Sequence, residues 1–127
     1  MTIVVDASAI AAVVFGEPDG RTVAAHVDGE RLIAPSLIDY ELASVACKKL
    51  RRHPGLAPEI FAAVARLQSL PITRLPAPIG DVVALAAETG LTAYDAAYLW
   101  LALSQDAELV TLDDQLARIN QARREPS

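Results

Sequence analysis

Two short, unbroken runs of aliphatic and β-branched residues, each closed by an aspartate, are the clearest feature of the hydrophobic pattern. Ile3 to Val5 precedes Asp6, and Glu108 to Leu112 precedes Asp113. Runs of this length without polar alternation are typical of parallel strands that are buried on both faces. We therefore predict two buried parallel strands, each followed at its carboxyl end by a carboxylate.

Two further segments have the character of shorter strands. Arg31 to Ala34 is stopped by Pro35, and Ile72 to Leu75 is stopped by Pro76. Proline cannot donate the backbone hydrogen bond that a neighbouring strand requires. The segments between the four strands have the apolar spacing and end signals of helices. Helical crossovers between strands predict an α/β fold, a three-layer α/β/α arrangement around a four- to five-stranded, mainly parallel sheet.

The length and composition of the chain indicate one domain that carries excess apolar surface. A chain of 127 residues is long enough for a core of its own, so we treat residues 1–127 as a single domain. Apolar residues make up 53% of the chain and the mean hydropathy is +0.31, which is high for a lone soluble domain. We therefore expect a second copy or an obligate partner to cover part of the surface.

The compartment is expected to be the cytoplasm. The single cysteine, Cys47, excludes an internal disulfide, and the start of the chain lacks the basic region of a signal peptide. No apolar run approaches the roughly 20 residues that cross a bilayer. We expect no membrane segment.

Four carboxylates stand at the ends of predicted elements and form the candidate chemistry of the chain. They are Asp6, Glu41, Asp95 and Asp113. Asp6 and Asp113 follow strands whose carboxyl ends share one edge of the sheet, which is where ligands bind in open α/β folds. Both could instead cap the helices that follow them. Thr92 and Asp95 have the spacing of a capping box, which would explain Asp95 locally.

Glu41 is the acid that local capping does not explain. Ser36 as N-cap and Asp39 at the third helical position would already supply the cap of its helix. At about 100° per residue, Glu41 lies on one stripe with Leu37 and Val45, one turn to either side. A glutamate in an apolar stripe requires a hydrogen-bond donor or a cation as its partner.

Lys48 and Arg52 continue the stripe of Glu41 toward the end of the same helix. They could contact phosphates that approach the acids, or be ordinary cations that favour a helix C-terminus. The net charge of −5 and the pI near 4.9 argue against a nucleic-acid partner. Divalent cations bound at the four acids would cancel much of that charge locally, so this objection is weak.

Other site chemistries find no matching motif. His26 and His53 lack a cysteine or acid at zinc-ligand spacing, and the nucleophile elbow and phosphate-binding glycine loops are absent. A receiver-like Mg²⁺-binding regulatory module is also a small acidic α/β domain. It requires a lysine after a late strand, where this chain has Asp113 to Gln115.

Four motifs follow one another in order along almost the whole chain. They are Val4 to Ala9, Tyr40 to Leu42, Leu91 to Leu99, and Leu109 to Asp113. In order, spacing and placement on elements they resemble the PIN-domain ribonucleases, in particular the VapC-type toxins of toxin–antitoxin pairs. The resemblance implies a PIN-like fold and a Mg²⁺-dependent endoribonuclease that attacks RNA phosphodiester bonds with a metal-activated water.

The resemblance also implies the roles of individual residues. The implied catalytic and metal-binding residues are Asp6, Glu41, Asp95 and Asp113. They would hold Mg²⁺, with Mn²⁺ able to substitute, and Asp6 and Asp95 would be the steadier ligands. Ser8 and Thr111 match small hydroxyl positions that support the cluster. Asp114 follows the last acid of the family and could assist it, or could only favour a helix N-terminus.

The implied partners are RNA, a second copy in a homodimer, and a cognate antitoxin protein. A basic side chain of the antitoxin could pair with the carboxylates, and its groove would lie on Ile10 to Phe15 and the helix that follows. Two alternatives stay open at this point: a catalytically silent PIN-fold binding protein, and the receiver-like module.

Overall fold

Four parallel strands form the sheet at the centre of the fold in a computed structural model that describes residues 1–125. In chain order, the strands are β1 (Thr2–Val5), β2 (Arg31–Pro35), β3 (Ile72–Leu75) and β4 (Glu108–Val110). Their spatial order is β3-β2-β1-β4, and all three pairings are parallel. Pro126 and Ser127, the end of the predicted domain 1–127, lie outside the described residues.

Helices connect the strands and cover the sheet. They are α1 (Ala7–Val14), α2 (Gly20–Val27), α3 (Ile38–Arg52), α4 (Ala57–Gln68), α5 (Ile79–Thr89), α6 (Ala93–Ser104) and α7 (Asp114–Arg124), with a 3₁₀ turn at Pro54–Leu56. The chain first moves outward from β1 to β2 to β3 and then returns to the far side of β1. Because parallel crossovers are right-handed, this reversal places α1 to α4 and α5 to α6 on opposite faces. The predicted α/β/α arrangement is confirmed.

The sheet and α6 form the centre of the hydrophobic core. Val4, Val5 and Ile33 are completely buried, and α6 lies against β1, β2 and β4. Six residues of α6 are buried, so it is the central apolar helix that the pattern predicts. No helix within residues 1–125 is long and apolar enough to cross a membrane.

The last strand is shorter and less buried than the pattern predicts. It ends at Val110 rather than Leu112, and it lies at the edge of the sheet with Glu108 exposed. The backbone N–H groups of Leu112 and Asp113 donate to side-chain hydroxyls instead of to a strand. The chain therefore leaves the sheet two residues early, and the prediction of a buried strand through Leu112 is wrong.

The predicted cap of α3 is also wrong. The helix begins at Ile38, and no side chain caps its N-terminus. Asp39 instead forms an ion pair with Arg74 of β3, with 2.6 Å between Oδ1 and Nη2. Glu41 lies in the first turn of this uncapped helix, where a negative charge is favourable.

The segment of the predicted antitoxin groove, Ile10 to Phe15, divides between the core and the surface. Ile10, Ala12 and Val14 are buried in the core, and α2 packs against α1. A Cβ atom at Gly20 would lie 2.3 Å from the carbonyl oxygen of Ala12, so only glycine permits this close packing. Val13 and Phe15 are only partly buried and line a cavity of about 470 Å³ together with residues of α3 and α4. The antitoxin groove on this segment stays a prediction.

Candidate active site

The four acids approach one another where the carboxyl ends of two strands meet the first turns of two helices. Asp6 follows β1 and Asp113 follows the turn after β4. Glu41 and Asp95 lie in the first turns of α3 and α6. Their charges interact: Asp6 raises the pKa of both Glu41 and Asp95, after the larger effect of burial. We call these four side chains the acidic cluster.

Asp6 is buried and tightly held. Its side chain is only 4% exposed. Its Oδ1 accepts hydrogen bonds from Ser8 Oγ at 2.7 Å and from the backbone N–H of Ala9 at 3.0 Å. Its Oδ2 accepts a short hydrogen bond from the Thr111 hydroxyl. Both oxygens thus have donors, and Asp6 is the N-cap of α1, as one of the two interpretations of the sequence predicts.

The hydroxyl groups around Asp6 are themselves fixed by the backbone. Ser8 Oγ accepts from the N–H of Leu112, and Thr111 Oγ1 accepts from the N–H of Asp113, both at 3.0 Å. Each hydroxyl therefore accepts a hydrogen bond from the backbone at Leu112 or Asp113 and donates one to an oxygen of Asp6. Ser8 and Thr111 thus both donate to Asp6, which is the kind of contact that their predicted supporting role needs.

Burial and mutual repulsion raise the pKa values of Asp6, Glu41 and Asp95. Burial raises the pKa of Asp6 most, the bonds from Thr111, Ser8 and Ala9 lower it, and Asp113 raises it. The pKa of Asp95 is raised by burial and then by Asp113 and Asp6. Each of these acids is therefore costly to ionise without a cation.

Asp95 and Asp113 differ in how much of their carboxylate the protein uses. Asp113 is exposed and caps α7, with Oδ1 accepting from the N–H of Leu116 at 2.8 Å. Asp95 is half-buried, and its backbone N–H donates to Thr92 Oγ1 at 3.1 Å. Among the hydrogen bonds of residues 1–125, none involves the Asp95 carboxylate, so the predicted capping box is only half formed. Asp95 keeps both oxygens free for another partner.

Tyr98 is the residue of this site that the sequence interpretation missed. It is 1% exposed on α6, and its hydroxyl donates to Oε1 of Glu41 at 2.6 Å. The sequence favoured a core role for the aromatic residues of this helix, and Tyr98 has that role as well. The available signal was its position three residues after Asp95, since residues three apart share one helix face.

The donor set of the acidic cluster fits a hard divalent cation. Carboxylate oxygens are the ligands that Mg²⁺ and Mn²⁺ prefer. None of the ion pairs within residues 1–125 involves a member of the cluster. No three His, Cys, Asp or Glu side chains in the same residues are arranged to enclose an ion by themselves. Mg²⁺ usually keeps several waters and takes only one or two carboxylates directly, so it does not require three side chains around it.

An apolar cavity lies between α5, α6 and the turn that precedes α3. It has a volume of about 440 Å³ and is lined by residues that include Leu37, Ile79, Val83 and Tyr94. Three of these are exposed: Ile79 by 82%, Val83 by 59% and Tyr94 by 63%. We call Ile79, Val83 and Tyr94 the apolar patch.

Comparisons with known proteins identify relatives over nearly the full length of the chain. The family model for the PIN domain matches residues 3–122. Ribonuclease VapC9 of Mycobacterium tuberculosis is 35% identical over 126 residues, which cover 95% of this chain and 93% of that protein. Ribonuclease VapC3 of Pyrobaculum aerophilum is 35% identical over 122 residues, which cover 92% of this chain and 93% of that protein.

A solved structure has the same fold. The crystal structure of PAE2754 from Pyrobaculum aerophilum superposes with a TM-score of 0.65 at 27% sequence identity. The match covers 93% of this chain and 86% of that one. The resemblance drawn from the four sequence motifs is confirmed, and the chain belongs to the PIN domain family, among the VapC proteins.

Proposed function

We propose that this protein is a VapC-type toxin that acts as a Mg²⁺-dependent endoribonuclease. The observation that carries the proposal is the acidic cluster at the carboxyl edge of the sheet. Its members have no cationic side chain as partner within residues 1–125. Burial and repulsion raise the pKa values of Asp6, Glu41 and Asp95, so these three are costly to ionise alone. Two 35% identical relatives are named ribonucleases.

The proposed metal-binding residues are Asp6, Glu41, Asp95 and Asp113, each with a distinct contribution. Asp95 offers two oxygens that no other group within residues 1–125 engages through a hydrogen bond. Asp6 has one spare lone pair, on Oδ2, since a carboxylate has about four acceptor sites and three protein donors reach it. When bound, Mg²⁺ or Mn²⁺ supplies a water of lowered pKa and stabilises the charge that develops on the phosphate. Asp113, which is exposed, faces the side from which RNA approaches.

The proposed substrate is single-stranded or looped RNA. A flexible backbone can bring a phosphodiester to an exposed edge of the sheet more readily than a rigid duplex can. Lys48 and Arg52 are exposed on α3, which starts beside the cluster at Glu41. Either residue could contact a neighbouring phosphate.

The proposed assembly is a homodimer that a cognate antitoxin inhibits. A second copy would cover the apolar patch, which explains part of the apolar excess of the sequence. A guanidinium group of the antitoxin would pair bidentately with carboxylates of the acidic cluster and so compete with the metal. We further propose that the chain acts as one domain in the cytoplasm.

The direct test is cleavage of structured RNAs by the purified protein with Mg²⁺, Mn²⁺ or EDTA. We expect cleavage that requires the metal and that falls at least about 100-fold in Asp6→Asn and Asp95→Asn, because each loses a charged ligand. Asp28→Asn is the matched control. Asp28 is exposed and precedes β2, so it lies at the opposite edge of the sheet, and its variant should cleave like the wild type.

Two outcomes would contradict the proposal. Cleavage that persists in EDTA, or that both cluster variants retain, would assign the activity to another site or another protein. A wild-type chain that binds neither Mn²⁺ nor RNA would favour the catalytically silent member of the fold.

A further inference from the structure

Glu41 depends on one protein contact within residues 1–125. The Tyr98 hydroxyl donates to its Oε1 at 2.6 Å, and no other donor in this part of the chain reaches the carboxylate. Tyr98 is itself immobile, because it is 1% exposed and belongs to the central helix that packs against β1, β2 and β4. Glu41 is half-buried on α3, so its direction is set by a residue of a different element.

The hydrogen bond from Tyr98 holds Glu41 against the repulsion of the other acids, which would otherwise turn its side chain away from the cluster. Asp95 and Asp6 belong to the same cluster and carry the same charge as the Glu41 carboxylate, so they repel it. A glutamate side chain has several rotatable bonds, and a half-buried one can turn toward solvent at little cost. A charge-assisted hydrogen bond from a buried donor holds it among like charges.

We propose that Tyr98 is a positioning residue that holds Glu41 toward the acidic cluster in a direction suited to metal binding. The hydroxyl engages Oε1, so Oε2 is left for a cation or for one of its waters. This inference rests on the proposed function, because it assigns Glu41 to the metal site. Tyr98 touches neither metal nor substrate and acts through Glu41.

The Tyr98 hydroxyl also links the elements that carry two of the acids. Tyr98 lies one turn after Asp95 on α6 and contacts Glu41 on α3. An ionised carboxylate can only accept, so the hydroxyl is the donor of this bond.

The test is Tyr98→Phe, which keeps the ring in the core and removes only the hydroxyl. Mn²⁺ affinity is measured by titration calorimetry without RNA, and cleavage is measured as kcat and KM. Loss of a residue that orients a metal ligand should weaken Mn²⁺ binding or kcat about 10- to 100-fold, with KM for RNA little changed. Ser104→Ala, which removes a hydroxyl at the far end of the same helix, should leave both measurements unchanged.

A double-mutant cycle separates positioning from general stability. In a Glu41→Gln background, Tyr98→Phe should cause little further loss, because the charge that it positions is gone. Glu41→Asp breaks the same contact from the other side by shortening the side chain, and it should reproduce the loss even if Tyr98→Phe folds poorly. Thermal unfolding checks that each variant is folded.

The outcomes distinguish this inference from the proposed function. If the wild type binds Mn²⁺ and cleaves RNA while Tyr98→Phe and Glu41→Asp match it, the positioning role is wrong and the proposed function stands. An equal loss from Tyr98→Phe in the wild-type and Glu41→Gln backgrounds would also overturn the positioning role. If the wild type neither binds Mn²⁺ nor cleaves RNA, both proposals fail.

Discussion

Asp6 shows that one carboxylate can be a helix cap and remain available to a metal. The sequence left these two interpretations open as alternatives. In the structure Oδ1 caps α1 through the N–H of Ala9 and also accepts from Ser8, while Oδ2 accepts from Thr111 alone and keeps a lone pair. Asp113 is similar, with Oδ1 used for the cap of α7. Sequence reasoning therefore identified both residues and their local role, whereas the approach of the four acids to one another required the fold.

At the residue scale, the repulsion around Asp95 predicts a stability that depends on pH. Burial, Asp113 and Asp6 raise its pKa in the folded state. For a carboxylate with a raised folded pKa, the stability is fully present below the unfolded pKa and is lost as the pH rises through the folded pKa. Without divalent cations, the melting temperature of Asp95→Asn relative to wild type should therefore rise between a pH below 3.8, the ordinary pKa of the side chain, and pH 7.5.

The measurement is thermal unfolding followed by circular dichroism at both pH values in EDTA. We expect the melting temperature of Asp95→Asn, taken relative to that of the wild type, to be a few degrees higher at pH 7.5 than at the acidic pH. Added Mg²⁺ should narrow that gap by stabilising the wild type alone. A difference that is the same at both pH values would show that Asp95 is not under electrostatic stress.

At the scale of elements, local pattern predicted where most strands and helices lie but not how their ends are held. The apolar runs identified β1, β3 and the buried helix α6 because hydrophobic periodicity is a local signal. The start of α3 and the end of β4 depend on partners far away in the chain. Asp39 pairs with Arg74, 35 residues later, and the N–H of Leu112 donates to Ser8, 104 residues earlier. No local pattern contains these contacts.

The packing of α1 against α2 gives a prediction at the same scale. Gly20→Ala should destabilise the protein by about 1–3 kcal/mol, since backbone atoms at the contact with Ala12 cannot move aside cheaply. Gly80→Ala is the matched control, because Gly80 lies in the first turn of α5 with no atom within 4 Å of an added Cβ.

Urea denaturation of the two variants beside wild type measures the effect. Gly80→Ala should be neutral or slightly stabilising, because alanine favours the helix and restricts the unfolded chain. If Gly20→Ala were as stable as Gly80→Ala, α1 and α2 would not pack as closely as described.

At the scale of the whole molecule, the apolar excess divides between core and surface. Much of it forms the core around the sheet and α6. Local pattern could not tell which residues of α1 belong to that core and which line a cavity at the surface. Ile79, Val83 and Tyr94 remain exposed together at one cavity beside the acidic cluster. A second copy bound at this patch would bring the proposed metal sites of the two protomers near the interface.

This proposed interface predicts the effect of a charge on oligomeric state. Ile79→Glu places a carboxylate in the apolar patch, and burying it without a partner would be costly. We expect the wild type to sediment as a dimer and the variant as a monomer with an unchanged fold. Phe61→Glu, at a residue of α4 that is exposed by 62%, should remain dimeric. A dimeric Ile79→Glu variant would place the interface elsewhere.

The hydroxyl groups around Asp6 have a consequence for the order in which the protein is made. Asp6 is synthesised 105 residues before its donor Thr111. The same later segment brings β4 to the edge of β1 and adds Asp113 to the cluster. A nascent chain therefore carries an incomplete centre until Thr111 and Asp113 have been made and folded into place. A protein that cleaves RNA would in this way be harmless to the message and the ribosome that are producing it.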